Sequence, residues 1–290
     1  MKVLYLLLQL SLVGREISTE TEPLEYVCPM DPEVRSSAPG TCSRCGMKLT
    51  VVVADLIEYG LNLKLHPQNV FVNQPVELIL SVIDPKTSEP VRRFEIVHEK
   101  PFHLFILSED LNYFAHVHPE QYPDHSFHFE TLFGKSGMYR VVCDFFPKGG
   151  TPQLLARTVF VTESRGLPAL PDIAKLNPDL SEKHGSNVDV DLVTEPSQPI
   201  AGMKTRLFFR LSPADGIEPY LGAWGHMLIA SDDLVDVMHH HPSVANGGEI
   251  QFSVIFPRAR IYRIWVQFQR HGVVNTVVFN LPASSLSSRK

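Results

Sequence analysis

The chain has 290 residues, which is enough for two domains of ordinary size and a small appendage. Hydrophobic residues make up 44% and charged residues 20%, a balance that excludes a disordered chain. The net charge is −6 and no basic run is longer than Arg92-Arg93, so nucleic acid is excluded as an expected partner.

The N-terminal segment has the pattern of a signal peptide. One positive charge precedes about eleven mostly apolar residues, after which polar sequence resumes. The run is shorter than the roughly 20 apolar residues of a membrane span, and no other segment qualifies. Leu12 stands where a cleavage site would carry a small residue, so a tethered or wrongly assigned N-terminus is the alternative. We expect residues 1–15 to be a signal peptide and the protein to be periplasmic or secreted, without an integral membrane segment.

A cysteine-rich head follows at residues 24–50. Three of the 4 cysteines lie within 18 residues here, and two of them form a Cys-x-x-Cys pair that binds one metal from a tight turn. Two methionines in the same stretch add thioethers, and soft sulfur ligands favour Cu(I) or Zn(II) over hard ions. The predicted ligands, with Cu(I) as the expected ion, are Cys28, Met30, Cys42, Cys45 and Met47.

This head resembles the small heavy-metal-binding domain found near the N-termini of copper-transporting ATPases and efflux adaptor proteins. The family pattern is Tyr-x-Cys-Pro-Met-His-Pro, then Pro-Gly-x-Cys-Pro-x-Cys-Gly-Met-x-Leu, and residues 26–49 follow it. Asp31 replaces the usual His and Ser43 the usual Pro, so the fourth ligand stays open between Asp31, a methionine and water, or Cu(I) is three-coordinate. The resemblance implies transferable copper. A Cys42–Cys45 disulfide or a structural zinc knuckle are the alternatives.

The rest of the chain contains two copies of one domain. Residues 103–119 (HLFILSEDLNYFAHVHP) align with residues 226–242 (HMLIASDDLVDVMHHHP), and the offset of 123 residues between His103 and His226 holds without a gap as far as Phe145. Such an internal repeat organises the whole fold. The predicted copies span residues 54–163 and 187–284, joined by a proline-containing linker at residues 164–186.

Both copies carry the local patterns of β-strands. Short apolar runs rich in β-branched and aromatic residues are separated by turn signals such as Asp84-Pro85 and Gly149-Gly150. No stretch sustains a helical period. Copies of about 100–110 residues suit an immunoglobulin-like sandwich. We therefore predict an all-β protein, with two tandem immunoglobulin-like β-sandwich domains behind the small Cys-rich N-terminal metal-binding head.

Histidine supplies the second set of candidate ligands, with 13 copies in the chain. If Glu109-Asp110 form a two-residue hairpin loop, His103 lies opposite His116. His118 then lies on the same face, about 6.6 Å along the strand, whereas a one-residue slip would move His103 to the other face. Imidazole favours Cu(II) or Zn(II). The predicted ligands of the two copies are His103, His116, His118, His226, His239 and His241.

The alternative is that these histidines are ordinary packed side chains that a duplication copied. Cys143 lies in an apolar strand and is replaced by Val266 in the second copy, which indicates a core position rather than a ligand. The run from Trp224 to Pro242 resembles secreted copper-resistance and YtkA-like sandwich domains, and this resemblance implies metal handling. The histidines expected to be packed or on the surface are His66, His98, His125, His128, His184, His240 and His271.

The function predicted from the sequence is an exported heavy-metal-binding protein, with copper as the expected metal, acting in sequestration, delivery or efflux support. The expected partners are metal ions and a membrane metal transporter or efflux component. An enzyme is not expected, because the only repeat cysteine has no type-1 copper array around it and no Gly-x-Ser-x-Gly signature occurs. The alternative function is an envelope interaction module whose sandwiches dock a transporter and whose head is only a structural zinc site.

Overall fold

The computed structural model describes residues 25–29, 34–43, 46–52, 58–163 and 175–286. The predicted signal peptide, residues 164–174 of the linker and two predicted head ligands, Met30 and Cys45, lie outside these ranges. Every regular element within them is a β-strand. The described residues include no helix with the length and apolar character needed to cross a membrane.

The strands are 2 to 10 residues long. In chain order they are β1 (Glu25–Val27), β2 (Arg35–Ser36), β3 (Thr50–Val52), β4 (Gly60–His66), β5 (Val70–Phe71), β6 (Pro75–Ile83), β7 (Phe102–Ser108), β8 (Phe114–Val117), β9 (Glu120–Gln121), β10 (Phe127–Leu132), β11 (Gly137–Phe145), β12 (Gln153–Thr162), β13 (Lys183–His184), β14 (Asp189–Glu195), β15 (Lys204–Ser212), β16 (Ile217–Glu218), β17 (His226–Ser231), β18 (Val237–His240), β19 (Val244–Asn246), β20 (Glu249–Ile255), β21 (Ile261–Arg270) and β22 (Val273–Pro282).

The first repeat is a sandwich of two sheets, with strand orders β4-β6-β10-β9 and β5-β12-β11-β7-β8. Strand β6 alternates between buried and less buried residues, as expected of a strand with one face on the core and one toward solvent. Side chains from both sheets fill the core, among them Leu78, Leu80, Phe102 and Phe127, all fully buried.

The second repeat has the same two-sheet plan. Its sheets have the orders β13-β14-β15-β20-β19 and β16-β21-β17-β18, with β22 paired to the other side of β21. Phe209, Phe252, Phe268 and Phe279 are fully buried in its core. The prediction of two tandem immunoglobulin-like sandwiches in an all-β chain is confirmed.

One sheet of each sandwich packs against its counterpart in the other repeat. Strand β7 is buried along its whole length: Phe102, Leu104 and Ile106 face the core of the first repeat, and the alternate residues Phe105 and Leu107 face the second repeat. The cluster between the repeats consists of Phe105, Leu107, Leu111, Val142, Leu228, Ala230, Leu234 and Trp265. Burial on both faces explains why β7 is an unbroken apolar run.

The head is a small sheet in the order β2-β1-β3 that packs on the first repeat. Val27 and Val52 of the head form a buried cluster with Phe146, and Val97 packs against this cluster. The head therefore contacts the segment that leads into β7.

Candidate metal centre

The β7–β8 hairpin brings its three predicted ligands to one face, although its register differs from the predicted one. Phe105, not His103, pairs with His116, and Leu228 pairs with His239 in the second repeat. The predicted pairing of His103 with His116, and of His226 with His239, is therefore wrong. Because the error is two residues, the side chains keep the same face of the strand.

The physical reason for this shift is a longer loop between the two strands. The backbone N–H of Ser108 donates to Tyr113 O at 3.2 Å. Four residues, 109–112, therefore lie between this hydrogen-bonded pair, where the prediction had a two-residue loop. Asp110 Oδ1 accepts hydrogen bonds from Ser108 Oγ at 2.5 Å and from the backbone N–H of Asn112 at 3.1 Å. Leu111 adopts a left-handed conformation, with φ of 56°. These interactions stabilise the longer loop in place of a two-residue turn.

In the first repeat three imidazoles converge. His103 Nδ1 lies 3.2 Å from His116 Nε2 and 3.1 Å from His118 Nε2. The three ligand atoms all lie within 4.8 Å of one another, which is close enough to hold one metal ion. We call His103, His116 and His118 the first histidine cluster. Its members are those that the sequence predicted.

The protons of this cluster are fixed by acceptors outside it. His103 Nε2 donates to Val97 O at 3.0 Å, so its Nδ1 carries a lone pair. Gln267 Nε2 donates to a threonine hydroxyl at 3.0 Å, which turns Gln267 Oε1 toward His116 Nδ1 at 2.7 Å. His116 therefore donates from Nδ1 and carries a lone pair on Nε2. Two lone pairs face each other across 3.2 Å, an arrangement that a cation between them would stabilise.

In the second repeat the corresponding imidazoles also converge. His241 Nε2 lies 2.8 Å from His226 Nδ1, and the rings of His239 and His241 have centroids 4.4 Å apart. His98, which belongs to the first repeat, places a ligand atom within 4.8 Å of those of His226 and His241. We call His98, His226, His239 and His241 the second histidine cluster; its ligand atoms within 4.8 Å of one another are those of His98, His226 and His241, and His239 is not in that group.

Outside acceptors fix the protons of the second histidine cluster in the same way. His226 Nε2 donates to Tyr220 O at 2.8 Å, and Tyr220 is the repeat equivalent of Val97. His239 Nδ1 donates to Asp144 Oδ2 at 2.5 Å, and Asp144 is the repeat equivalent of Gln267. Each repeat thus orients one histidine of the other repeat. Metal-binding histidines usually donate their second N–H to a carbonyl or carboxylate in this manner.

Three ring nitrogens of the second histidine cluster are buried without a hydrogen-bond partner among the described residues: His98 Nε2, His239 Nε2 and His241 Nδ1. A buried nitrogen without a partner costs free energy, on the order of 1–3 kcal/mol. Coordination would satisfy the lone pairs of His98 and His239. The residues present therefore fit a metal ion that prefers nitrogen ligands, such as Cu(II) or Zn(II).

The two clusters lie side by side where the repeats meet. The ring centroid of His226 lies 5.6 Å from that of His116 and 6.2 Å from that of His103, and His103 and His239 are 5.8 Å apart. Phe105 packs between the clusters, with its ring stacked on His116 at 4.3 Å and edge-on to His239 at 4.8 Å. The six predicted histidines therefore form one group of imidazoles at the interface.

Burial keeps these imidazoles neutral, which is the form that binds metal. Removal from water lowers the pKa of His98 and of His116 to about 3, and that of His118 to about 2. It also lowers the pKa of His103, and it lowers those of His226, His239 and His241 well below the usual value. Burial raises the pKa of the Asp144 carboxyl to about 6, and the neighbouring His103 and His240 oppose that rise.

The described part of the head has the form of a knuckle. Cys28 and Cys42 are buried and pack with Leu49. The backbone N–H of Cys42 donates to Met47 O at 2.7 Å, and Gly46 N–H donates to Cys42 O at 2.8 Å. Gly46 has a φ of 75°, which favours glycine at this turn. Two predicted sulfur ligands, Cys28 and Cys42, are thus brought together, and Met47 follows them at the turn.

Cys143 lies in the core of the first repeat, fully buried in β11. Burial strongly raises the pKa of its thiol, which disfavours the thiolate that a metal requires. It belongs to neither histidine cluster.

His98 is not among the ligands predicted from the sequence, where it is expected to be an ordinary packed or surface histidine. His98 lies in a turn before β7 and reaches the histidines of the other repeat, a contact that the spacing of residues along one hairpin does not reveal. The sequence shows only that His98 aligns with Leu221, so the second copy has no histidine at this position.

Comparison with known families divides the chain into the same parts. A model described as a heavy metal binding domain matches residues 25–52, and one described as a domain of unknown function (DUF8832) matches residues 55–163 and 183–285. The description of the second family names no metal, so the resemblance of the repeats to YtkA-like domains stays a prediction.

A curated relative supports the identity of the head. A copper-exporting P-type ATPase of Legionella pneumophila is 53% identical over 38 residues, which cover 12% of this chain and 5% of the ATPase. The chain thus matches only a small part of that protein. With the family match, the likeness shows that the head is a heavy-metal-binding domain.

Two solved structures illustrate what the chain is similar to. The FN1–FN3 domains of chicken CNTN1 are 9% identical, with 81% of this chain and 71% of that chain covered and a TM-score of 0.21. The Escherichia coli adhesin FdeC is 14% identical, with 82% and 71% covered and a TM-score of 0.26. Neither likeness bears on function.

Proposed function

The chain belongs to the DUF8832 family, and we propose that it is an exported copper-binding protein that sequesters copper or delivers it to an efflux system. The thiol and thioether head takes Cu(I), and the two histidine clusters take Cu(II) or a similar ion. The N-terminal pattern of residues 1–15 supports export.

The observation that carries this proposal is the proton arrangement of the clusters. Outside acceptors hold the protons of His103, His116 and His226 on the ring nitrogen that points away from the cluster. The inward nitrogens are therefore lone pairs, neutral and buried, at separations of 2.8–3.2 Å from their neighbours. The lone pairs of His103 and His116 face each other across 3.2 Å, which is unfavourable between packed histidines and is what a metal site requires.

Burial of the ligands favours binding over catalysis. His103 is only 3% exposed and His226 only 2%, so a substrate larger than an ion has little access to these two ligands. The head, which resembles the N-terminal module of a copper-exporting ATPase, suggests a transporter as the partner that gives or receives the metal.

Copper titration of the metal-free full-length protein tests this proposal. We expect two Cu(II) equivalents that depend on the histidine clusters, and one Cu(I) equivalent that depends on the head. His118→Ala should remove one Cu(II) equivalent, and His241→Ala the other. His118 suits this test because its one hydrogen bond through the ring goes to His103, so its loss disturbs little else.

Cys28→Ser should remove the Cu(I) equivalent and leave both Cu(II) equivalents. His184→Ala is the matched control, because His184 is exposed and pairs only with Asp189 at 2.7 Å. Retention of all copper by His118→Ala and His241→Ala would refute the histidine sites. Retention of Cu(I) by Cys28→Ser would refute the sulfur site.

A further inference from the structure

We propose that the second histidine cluster is a metal site shared between the two repeats, completed by His98 from the first repeat. This inference rests on the proposed function and adds a ligand and a consequence to it: the metal joins the two sandwiches. The shared site depends on a turn in each repeat and on the contact between the two turns.

Each repeat has the same tight turn before its first histidine strand. Val97 and Lys100 form a two-way backbone bridge in the first repeat, and Tyr220 and Ala223 form the equivalent bridge in the second. His98 has a φ of 48° and its equivalent Leu221 a φ of 50°. The left-handed conformation is rare for such residues, and both copies keep it.

The two turns contact each other across the interface. The His98 ring donates a hydrogen bond to the backbone of Leu221. A side chain at Gly222 would come within 3.7 Å of Glu99, the residue after His98. The turn of the first repeat therefore lies against that of the second, and this contact carries His98 into the second repeat.

The His98 ring contacts two histidines of the second repeat. It stacks on His241 with centroids 3.9 Å apart and an interplanar angle of 13°, and it meets His226 edge-on at 5.3 Å. Since Nδ1 donates to Leu221, Nε2 carries a lone pair, and this atom is buried without a hydrogen-bond partner among the described residues. His98 itself is 8% exposed. One ring nitrogen of His98 belongs to the group of ligand atoms formed with His226 and His241.

The alignment of the two repeats makes the two sites unequal. The position equivalent to His98 is Leu221, which has no ligand atom, so the first histidine cluster takes its three ligands from one repeat, whereas the second needs His98 from the other repeat. The second histidine cluster is also hydrogen-bonded to the Asp144 carboxylate, where the first is hydrogen-bonded to the neutral Gln267 amide. A site beside a carboxylate should bind a divalent cation more tightly than one beside a neutral amide.

A shared site couples the metal to the docking of the repeats. A metal that binds His98, His226 and His241 holds atoms of both sandwiches, so it binds the docked arrangement and not the separated one. By linkage, such a metal stabilises the docked arrangement in proportion to its affinity.

The test is Cu(II) titration of the full-length His98→Leu variant, with Glu99→Gln as the matched control in the same turn. Leucine is the residue that the second repeat carries in this conformation, so the turn should be preserved. We expect the tighter of the two Cu(II) equivalents to weaken about 10- to 100-fold. The nitrogen hyperfine pattern in the electron paramagnetic resonance spectrum of that site should change, and Cu(II) should raise the Tm less than in the unmodified protein. Glu99→Gln should leave all three readouts unchanged.

A second variant, His98→Asn, is a control for misfolding of His98→Leu. Asparagine tolerates a left-handed backbone and has no imidazole. Unchanged affinity and spectrum in both His98 variants would overturn the shared site. If His241→Ala still loses one equivalent in that case, the proposed function stands and only this inference fails. If His241→Ala also binds normally, the proposed function fails as well.

Discussion

At the scale of single residues, the direction of each imidazole proton decides whether the histidines can bind metal. Five acceptors outside the clusters set these directions: three backbone carbonyls, the Gln267 amide and the Asp144 carboxylate. Three of the five come from the opposite repeat: the Leu221 carbonyl, and the side chains of Asp144 and Gln267, which occupy equivalent positions. Removal of Asp144 or Gln267 should therefore affect the histidines of the other repeat.

Gln267→Leu should weaken Cu(II) binding at the first histidine cluster about 10- to 100-fold, because His116 loses the acceptor that fixes its proton. Gln267→Glu should retain the affinity, since a carboxylate accepts the same hydrogen bond. Competitive titration with a Cu(II) chelator measures both variants. Gln269→Leu, on the same strand but hydrogen-bonded to Glu218, is the control. Equal affinity in Gln267→Leu and the unmodified protein would contradict the positioning role.

Cys143→Val should change neither metal content nor stability by much. Valine is the residue at the equivalent position of the second repeat, and near-isosteric apolar exchanges in a core usually cost less than about 1.5 kcal/mol. Metal analysis and urea denaturation check this expectation. A lost metal equivalent would mean that the buried thiol is a ligand after all.

At the scale of elements, the hairpin loops hold the strands that carry the histidines. Asp233 in the second repeat accepts two hydrogen bonds from Arg258, at 2.8 and 2.9 Å, and one from Ser231 Oγ at 2.6 Å. The equivalent Asp110 pairs with the more exposed Lys135 at 2.8 Å. A planar guanidinium that binds both carboxylate oxygens fixes its partner better than a single ammonium group does.

Asp233→Ala should lower the urea midpoint more than Asp110→Ala does. The Arg258 hydrogen bonds hold the pKa of the Asp233 carboxyl well below its usual value. A carboxyl with a lowered folded pKa stabilises the fold above its unfolded pKa, and this stability is lost as the pH falls through the folded pKa. The difference in midpoint between the unmodified protein and Asp233→Ala should thus be constant near neutral pH and shrink below about pH 4. A difference that grows on acidification would contradict this account.

The strands and the shared face of the histidines could be predicted from the sequence, because both depend on local periodicity. The hairpin register could not, since the side chains of Ser108 and Asp110 and the left-handed Leu111 lengthen the loop by two residues. His98 could not be predicted because its contacts with His226 and His241 arise from the packing of two repeats. The unbroken apolar run of β7 was a usable signal of that packing, since a strand with one exposed face would alternate.

At the scale of the whole molecule, the apolar interface and the histidine clusters stabilise the same arrangement. Trp265 is 3% exposed and stacks on Phe114 of the other repeat, with ring centroids 5.2 Å apart. The histidines lie on the same sheets beside this contact. The head packs on Val97, whose carbonyl orients His103 and whose neighbour is His98. A disturbance of the interface should therefore reach the metal sites.

Trp265→Ala should destabilise the protein by about 3–5 kcal/mol, the usual cost of truncating a buried aromatic side chain. It should also weaken Cu(II) binding, because docking of the repeats and metal coordination are coupled. Urea denaturation with and without Cu(II) measures both effects. Trp224→Ala, at a side chain that is 43% exposed, is the control. Full Cu(II) affinity in a destabilised Trp265→Ala protein would show that the sites do not need the interface.

The most direct test of metal binding between the repeats is an anomalous difference map at the copper edge, from crystals of the full-length protein loaded with Cu(II). The account predicts one peak among His103, His116 and His118, and a second among His98, His226 and His241. A map with copper only at the head, and with both histidine clusters empty, would contradict it.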